Sequence, residues 1–321
     1  MDQLETIICG VDFSTGSHCA LRHAHRIAQW NQARLMVVHV IDDSLTEVFP
    51  DIPITDFQKS TVSDLEEFVI KALGDCREAE RQVLWGHPFV SLAEIVEKER
   101  GDLLVLGVHG HSAEQGVAES AGTVAKKAVR KIPGKVLLVR GDQPTDFKTI
   151  LHCTDFSKTA GKAFEQAIKI AKQEGSSLEV IHAAISPENI LFGMADIYAT
   201  TRLTAETMRT EVRNSLNDYL ASFESQLGGL NVKSTIVEAK GSPGTKLLES
   251  LRDRKADLVV VGTHGRGPLG RLLIGFHRRK NSGFDPLFGS RHQTGRFQNV
   301  LVRTSRESLS MNLLMPLSQR I

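Results

Sequence analysis

The sequence predicts an α/β chain of two tandem, doubly wound parallel-sheet units, and three observations carry that prediction. First, the chain repeats itself. Cys9-Gly10-Val11-Asp12-Phe13-Ser14 returns as His152-Cys153-Thr154-Asp155-Phe156-Ser157, and Leu104-Val105-Leu106-Gly107-Val108-His109-Gly110 returns as Val259-Val260-Val261-Gly262-Thr263-His264-Gly265. Second, short apolar runs alternate with segments of helical period, the order of successive βαβ units. Third, runs such as Leu103 to Leu106 and Leu258 to Val261 are apolar throughout. Strands buried on both faces of a parallel sheet require this.

The elements follow in the same order in each copy. Thr6 to Val11 and Thr149 to Cys153 read as first strands. Ala20, Leu21, Ala24, Ile27 and Ala28 recur at helical spacing behind the first, and Ala163, Ala167, Ile168 and Ile170 behind the second, so each set makes one buried helix face. Ser14 and Ser157 stand where an N-cap belongs. Leu35 to Ile41 and Leu178 to Ala184 read as second strands, and Asp12 to His39 spans 27 residues, as does Asp155 to His182. Gly86-His87-Pro88 and Gly241-Ser242-Pro243 each end a strand and begin a helix, with Pro tolerated in the first turn. Each lies 21 residues before the next glycine motif, at Gly107 and Gly262. The copies differ mainly before the third strand, where the second is 12 residues longer around Ile185 to Ala205. The expected units are residues 1–141 and 149–275, joined by a linker over 142–148, with an atypical tail over 276–321.

Composition narrows the function classes. A 321-residue chain with 41% hydrophobic and 24% charged residues and a formal net charge of +1 suits a soluble protein, with no global pull toward nucleic acid or membrane. Four cysteines without metal-ligand spacing point to reduced thiols. The start at Met1 lacks the regions of a signal peptide and no 18-residue apolar run occurs, so a cytoplasmic location is expected. The sequence contains no GxSxG elbow, no HExxH, no Walker A loop and neither the HxGH nor the SGGxDS signature of adenylyl transfer. No catalytic or metal-ligating residue is therefore assigned.

The suggestive constellation is Gly262-Thr263-His264-Gly265, nine residues, then Gly275. Glycines let backbone N–H groups approach a phosphate, and a helix beginning at the last glycine offers unpaired amides to the anion. The first copy carries Gly107 and Gly110, then Gly122-Thr123. With Asp after the first strand, His39-Val40 or His182-Ala183 in the second, Gly-x-Pro and Asp-Leu-x-Val-x-Gly-x-x-Gly, this order resembles the universal stress protein family, and two copies resemble its tandem members. The resemblance implies a Rossmann-like fold and a stress-response module binding ATP or a related adenine nucleotide, with magnesium entering only through the nucleotide. It implies adenine against the backbone at Val40 and Ala183, a nucleoside pocket bounded by Asp12 and Asp155, and ribose and phosphates on the glycine loops. It also implies an intramolecular pseudo-dimer of the halves, with or without a further homodimer. Two other readings stay open: a nucleotide-free scaffold for a protein or apolar ligand, and a slow ATPase, for which no general base is recognisable.

Both copies depart from the pattern. Eleven residues, not nine, separate Gly110 from Gly122, and Glu114 and Glu119 in that stretch would repel phosphate. In the second copy Phe276 replaces the hydroxyl residue after Gly275. From there the repeat stops. Permitted codons for Phe276 onward, chosen to favour the match and read one base later, give Ser-Thr-Ala-Glu-Lys-Ile-Leu-Asp-Ser-Ile-Pro. That string aligns without a gap to the first copy from Thr123 and agrees at Ala125, Lys127, Ile132 and Pro133. The tail is therefore expected to be a frameshift product; the alternative is a diverged tail in which Asn299 to Arg303 supplies the last strand.

Overall fold

The structure, a computed structural model, describes residues 3–49, 51, 53–108, 122–141, 143–191, 198–254, 256–262 and 299–303. The first half runs β1 (Thr6–Val11), α1 (Thr15–Asn31), β2 (Arg34–Ile41), α2 (Leu45–Val48), α3 (Ile54–Leu73), β3 (Glu80–Trp85), α4 (Pro88–Lys98), β4 (Leu103–Gly107), α5 (Thr123–Lys131) and β5 (Lys135–Val139). The second runs β6 (Thr149–Thr154), α6 (Lys158–Glu174), β7 (Ser177–Ile185), α7 (Pro187–Leu191), α8 (Tyr198–Ala221), α9 (Glu224–Leu227), β8 (Val232–Ala239), α10 (Pro243–Asp253), β9 (Leu258–Gly262) and β10 (Asn299–Arg303).

Among the described residues, ten strands form one sheet, in the order β3-β2-β1-β4-β5-β10-β9-β6-β7-β8. Its left half is parallel throughout, and β9-β6-β7-β8 repeats the pattern in mirror order. The central strand differs from a fifth strand of the repeat. β10 runs parallel to β5 but antiparallel to β9, whereas β5 is parallel to β4. It also covers the outer edge of β5. An apolar run such as Asn299 to Arg303 specifies a strand but not its direction.

Helices close both faces of the sheet. One apolar layer joins Ile7, Leu21 and Val69 of the first half to Ile150, Phe164 and Val260 of the second, and the other joins Ile8, Leu104 and Ile132 to Leu151, Leu251 and Val261. Phe147, in the segment between the repeats, is buried against the His23 ring at 5.1 Å, with the Arg26 guanidinium 4.8 Å above it. Arg26 also pairs with Asp146 at 3.1 Å and Glu174 at 3.0 Å, and Lys169 donates to Asn31 Oδ1 at 2.6 Å. The segment between the repeats is therefore anchored into the shared core.

The motif aspartates Asp102 and Asp257 serve the amino end of the sheet. Asp102 Oδ2 accepts from the Glu5 and Thr6 amides, and Asp257 Oδ2 from the Thr149 amide. At the other end Ser14 caps α1: its Oγ accepts from Ser17 N–H at 3.2 Å and donates to Asp12 Oδ1 at 2.6 Å. Ser157 caps α6, accepting from Ala160 N–H at 3.1 Å. Ser14→Ala is expected to lower stability by about 1 kcal/mol, the usual worth of an N-cap, as read from the urea midpoint at unchanged m-value.

Candidate functional site

Strand order sets the site. β1 lies beside β4, and β6 beside β9, where crossovers diverge to opposite faces and a crevice opens at the carboxyl ends. Val11 pairs with His39 and Gly10 with Leu106, so Asp12, Val40 and Gly107 finish side by side on β1, β2 and β4. Thr154 pairs with His182 and Cys153 with Val261, which assembles Asp155, Ala183 and Gly262 in the same way. Gly122 closes the first site: its N–H donates to Val108 O at 2.8 Å, and α5 begins at the exposed Thr123 with no acidic residue in its first turn. Gly110, Gly265 and Gly275, with His109, His264, Glu114, Glu119 and residues 276–298, lie outside the described residues.

Gly107 and Gly262 have a packing reason to be glycine. A Cβ on Gly107 would stand 3.1 Å from Gly16 C and Ser17 N in the first turn of α1. On Gly262 it would stand 2.9 Å from Thr159 C and 3.0 Å from Ala160 N in α6. The close approach brings the end of each fourth strand against the start of the helix that follows each first strand.

The Asp-Phe-Ser turns are built alike. Asp12 Oδ1 also accepts from Ser14 N–H at 3.2 Å, and Asp155 Oδ1 from Ser157 N–H at 3.0 Å. Phe13 and Phe156 take left-handed φ values of 63° and 60°. Such a conformation costs a non-glycine residue about 1–2 kcal/mol. Each ring is compensated by stacking on the strand-end histidine, Phe13 on His39 at 4.3 Å and Phe156 on His182 at 4.2 Å. His39 Nδ1 bonds Val11 O at 2.8 Å and His182 Nδ1 bonds Thr154 O at 2.9 Å. Burial pulls both imidazoles below their ordinary range, partly opposed by those bonds and by Asp12 and Asp155. Neutral rings that donate from Nδ1 make these histidines part of the turn.

The second half adds a buried network that the sequence does not announce. His152 is fully buried, with Nδ1 3.2 Å from Val260 O and Nε2 3.0 Å from the Tyr219 hydroxyl on α8. Beside it, Thr154 Oγ1 accepts from Phe156 N–H at 3.0 Å. With His152 neutral, Nδ1–H donates to Val260 O and the Tyr219 O–H donates to Nε2, while the Tyr219 ring lies 5.7 Å from that of the left-handed Phe156. Burial above all holds His152 down at about 3. Phe164 and Tyr219 stack along the same ring, at 4.8 and 6.2 Å. The only sequence signal is a histidine in an otherwise apolar strand.

The two crevice mouths differ in chemistry. Beside the second, Arg209 of α8 bonds both Glu188 and Glu238, the latter at 2.8 Å. Near the carboxyl ends of β2 and β3 in the first half, Phe57 lies between Phe49 at 6.2 Å and Trp85 at 6.3 Å. Among the described residues no group of three or more His, Cys, Asp or Glu side chains is placed to hold a metal ion, and no helix is long and apolar enough to cross a membrane.

The family model for the universal stress protein family matches residues 3–140 and again 146–278. The chain belongs to the universal stress protein family. It is 26% identical over 311 residues to a universal stress protein of Mycobacterium tuberculosis, covering 89% of this chain and 94% of the relative. A universal stress protein of Mycolicibacterium smegmatis is 26% identical over 280 residues, covering 84% and 90%. Among solved structures, a universal stress protein from Archaeoglobus fulgidus superposes with a TM-score of 0.54 at 18% identity, over 95% of this chain and 100% of that one. A protein of unknown function from Pseudomonas aeruginosa PAO1 gives 0.57 at 15% identity, over 94% and 93%. These solved structures bear on the fold: tandem α/β units of the universal stress protein type.

Proposed function

We propose that the chain is a cytoplasmic stress-response protein that binds ATP or a related adenine nucleotide at the carboxyl ends of its strands, with the first half as the better-supported site. The observation that carries the reading is the convergence of Val40, Asp12, Gly107 and Thr123 on one crevice, from three adjacent strands and the start of α5. In that crevice the backbone at Val40 would face adenine and Asp12 would bound the nucleoside. The Thr123 hydroxyl and first-turn amides of α5 would meet phosphate. The Gly122 N–H is already given to Val108 O, so it ties the loop to β4 and is not a phosphate donor. Ala183, Asp155 and Gly262 make the corresponding wall in the second half. The reading includes no homodimer through β5, because β10 pairs with that edge.

Calorimetric titration of the full chain with ATP tests the proposal. Saturable binding in the millimolar range or tighter is expected, and Thr123→Val is expected to weaken it about tenfold, or about 1.4 kcal/mol. Thr123 is exposed, so the variant keeps its fold. Absence of binding at millimolar ATP, or a Thr123→Val variant that binds as well as the native chain, counts against this site.

A further inference from the structure

The four thiols differ in access. Cys9, Cys19 and Cys153 are buried, whereas Cys76 is partly exposed. Burial pushes the Cys9 thiol up and the Cys153 thiol up to about 12, which leaves both inert. Cys76 lies in the turn before β3 and lines a cleft of about 570 Å3 at the amino end of the sheet. This is the end opposite Asp12 and Gly107. The turn is fixed: Cys76 N–H donates to Gly74 O at 2.8 Å, and Arg81 Nη2 donates to Cys76 O at 2.9 Å while Arg81 Nε pairs with Glu66 at 2.9 Å.

Held this way, Cys76 Sγ stands 3.6 Å from His25 Nε2 of α1, and both residues line the cleft. A nucleophile within hydrogen-bond reach of a base, with a third group acting on the base, is the arrangement that activates a thiol. The third group is Glu78, which lines the same cleft. Burial lowers His25 below its ordinary range, so the ring is available to accept a proton, and the Glu78 charge favours the imidazolium that forms. Arg34 is the other cleft charge, and it is engaged by Glu80 at 2.8 Å and Glu99 at 2.5 Å. Gln29 and Gln32 add further polar groups to the lining, beside Ala28, Ala33, Leu35 and Ala79.

We propose that Cys76 is a thiol-modification site, with His25 as its proton acceptor, that takes the disulfide of a small polar thiol. His25 Nε2 removes the Cys76 proton as Sγ attacks one sulfur of the disulfide. The Cys76–S bond forms, the disulfide S–S bond breaks, and the electron pair leaves on the departing thiolate. His25 returns the proton to that thiolate. The incoming disulfide is the oxidant: one of its sulfurs is reduced to the free thiol and Cys76 is oxidised to the mixed disulfide.

The probe is 5,5′-dithiobis(2-nitrobenzoic acid) on the reduced, folded full chain, with the released chromophore timed and the labelled cysteine mapped by peptide mass spectrometry. One fast equivalent on Cys76 is expected, absent in Cys76→Ser. His25→Gln is expected to slow it about tenfold at pH 7. At about pH 10 a thiol ionises unaided, and there the variant and the native chain should react alike. The proposal is overturned if the fast label maps to another cysteine, or if no thiol reacts without denaturant. It is equally overturned if His25→Gln changes nothing at pH 7, or slows the reaction to the same degree at both pH values, the mark of a structural role alone. Mapping on the native chain keeps the test decisive if a variant folds poorly.

Discussion

Lowering the pH from 7 to 4 is expected to remove about 3 kcal/mol of stability through His152 alone. The ring titrates near 6.5 in the unfolded chain and at about 3 in the folded one. Between those values the unfolded chain binds a proton that the folded chain refuses, so unfolding gains as pH falls. pH 4 lies about 2.5 units below the unfolded ring's ordinary value, and each unit is worth about 1.4 kcal/mol. The contribution is fully present above pH 6.5 and is lost progressively toward pH 3. His39 and His182 are shifted in the same direction and add to the slope. His152→Met isolates the effect: its urea-derived stability should fall less steeply between pH 7 and pH 4 than that of the native chain. Parallel slopes would mean that His152 is not held neutral in the fold.

Gly262→Val is expected to destabilise by about 3 kcal/mol, the upper end of the usual cost of forcing bulk into a close-packed contact. The atoms in the way, Thr159 C and Ala160 N, are backbone, so α6 itself must lift from β9. Gly107→Ala meets α1 in the same manner at 3.1 Å and should cost less, because one carbon is added and not three. Gly241→Ala is the control. Nothing lies within 4 Å of its Cβ, and little change is expected. Equal urea midpoints for the Gly262 and Gly241 variants would contradict the packing account and return the Gly262 position to a turn requirement only.

The architecture was legible because the repeat aligned every strand-end motif with its partner. Apolar runs and helical spacing gave the strands and helices, and parallel order then put Asp12 and Gly107, or Asp155 and Gly262, on neighbouring strands. What stayed hidden has a common physical origin. His152 meets Tyr219 across 67 residues only because α8 packs over β6, and no local period encodes that contact. The left-handed Phe13 and Phe156 were hidden because residue type favours glycine or asparagine there. Their compensation comes from stacking on histidines 26 residues away in sequence. Phe147 read as part of a linker because hydropathy at one position cannot report burial between two repeats. The direction of β10 was equally invisible, since the same apolar run pairs with β5 or with β9 in either sense.

That reversed polarity bears on the tail. A frame-restored repeat would supply a helix and a strand parallel to β9, as α5 and β5 do for β4. Resequencing the gene is expected to find a one-base difference near the codon for Gly275. An error-free, in-frame gene for this tail in related strains would contradict the frameshift account.

The central claim is nucleotide binding at the carboxyl ends of the strands, and amide hydrogen exchange of the full chain with and without ATP tests it most directly. The account predicts new protection at residues 11–14, 39–41 and 122–124, with the amino-end turn at 74–79 unchanged. Protection confined to that amino-end turn, or no change anywhere at millimolar ATP, would contradict it.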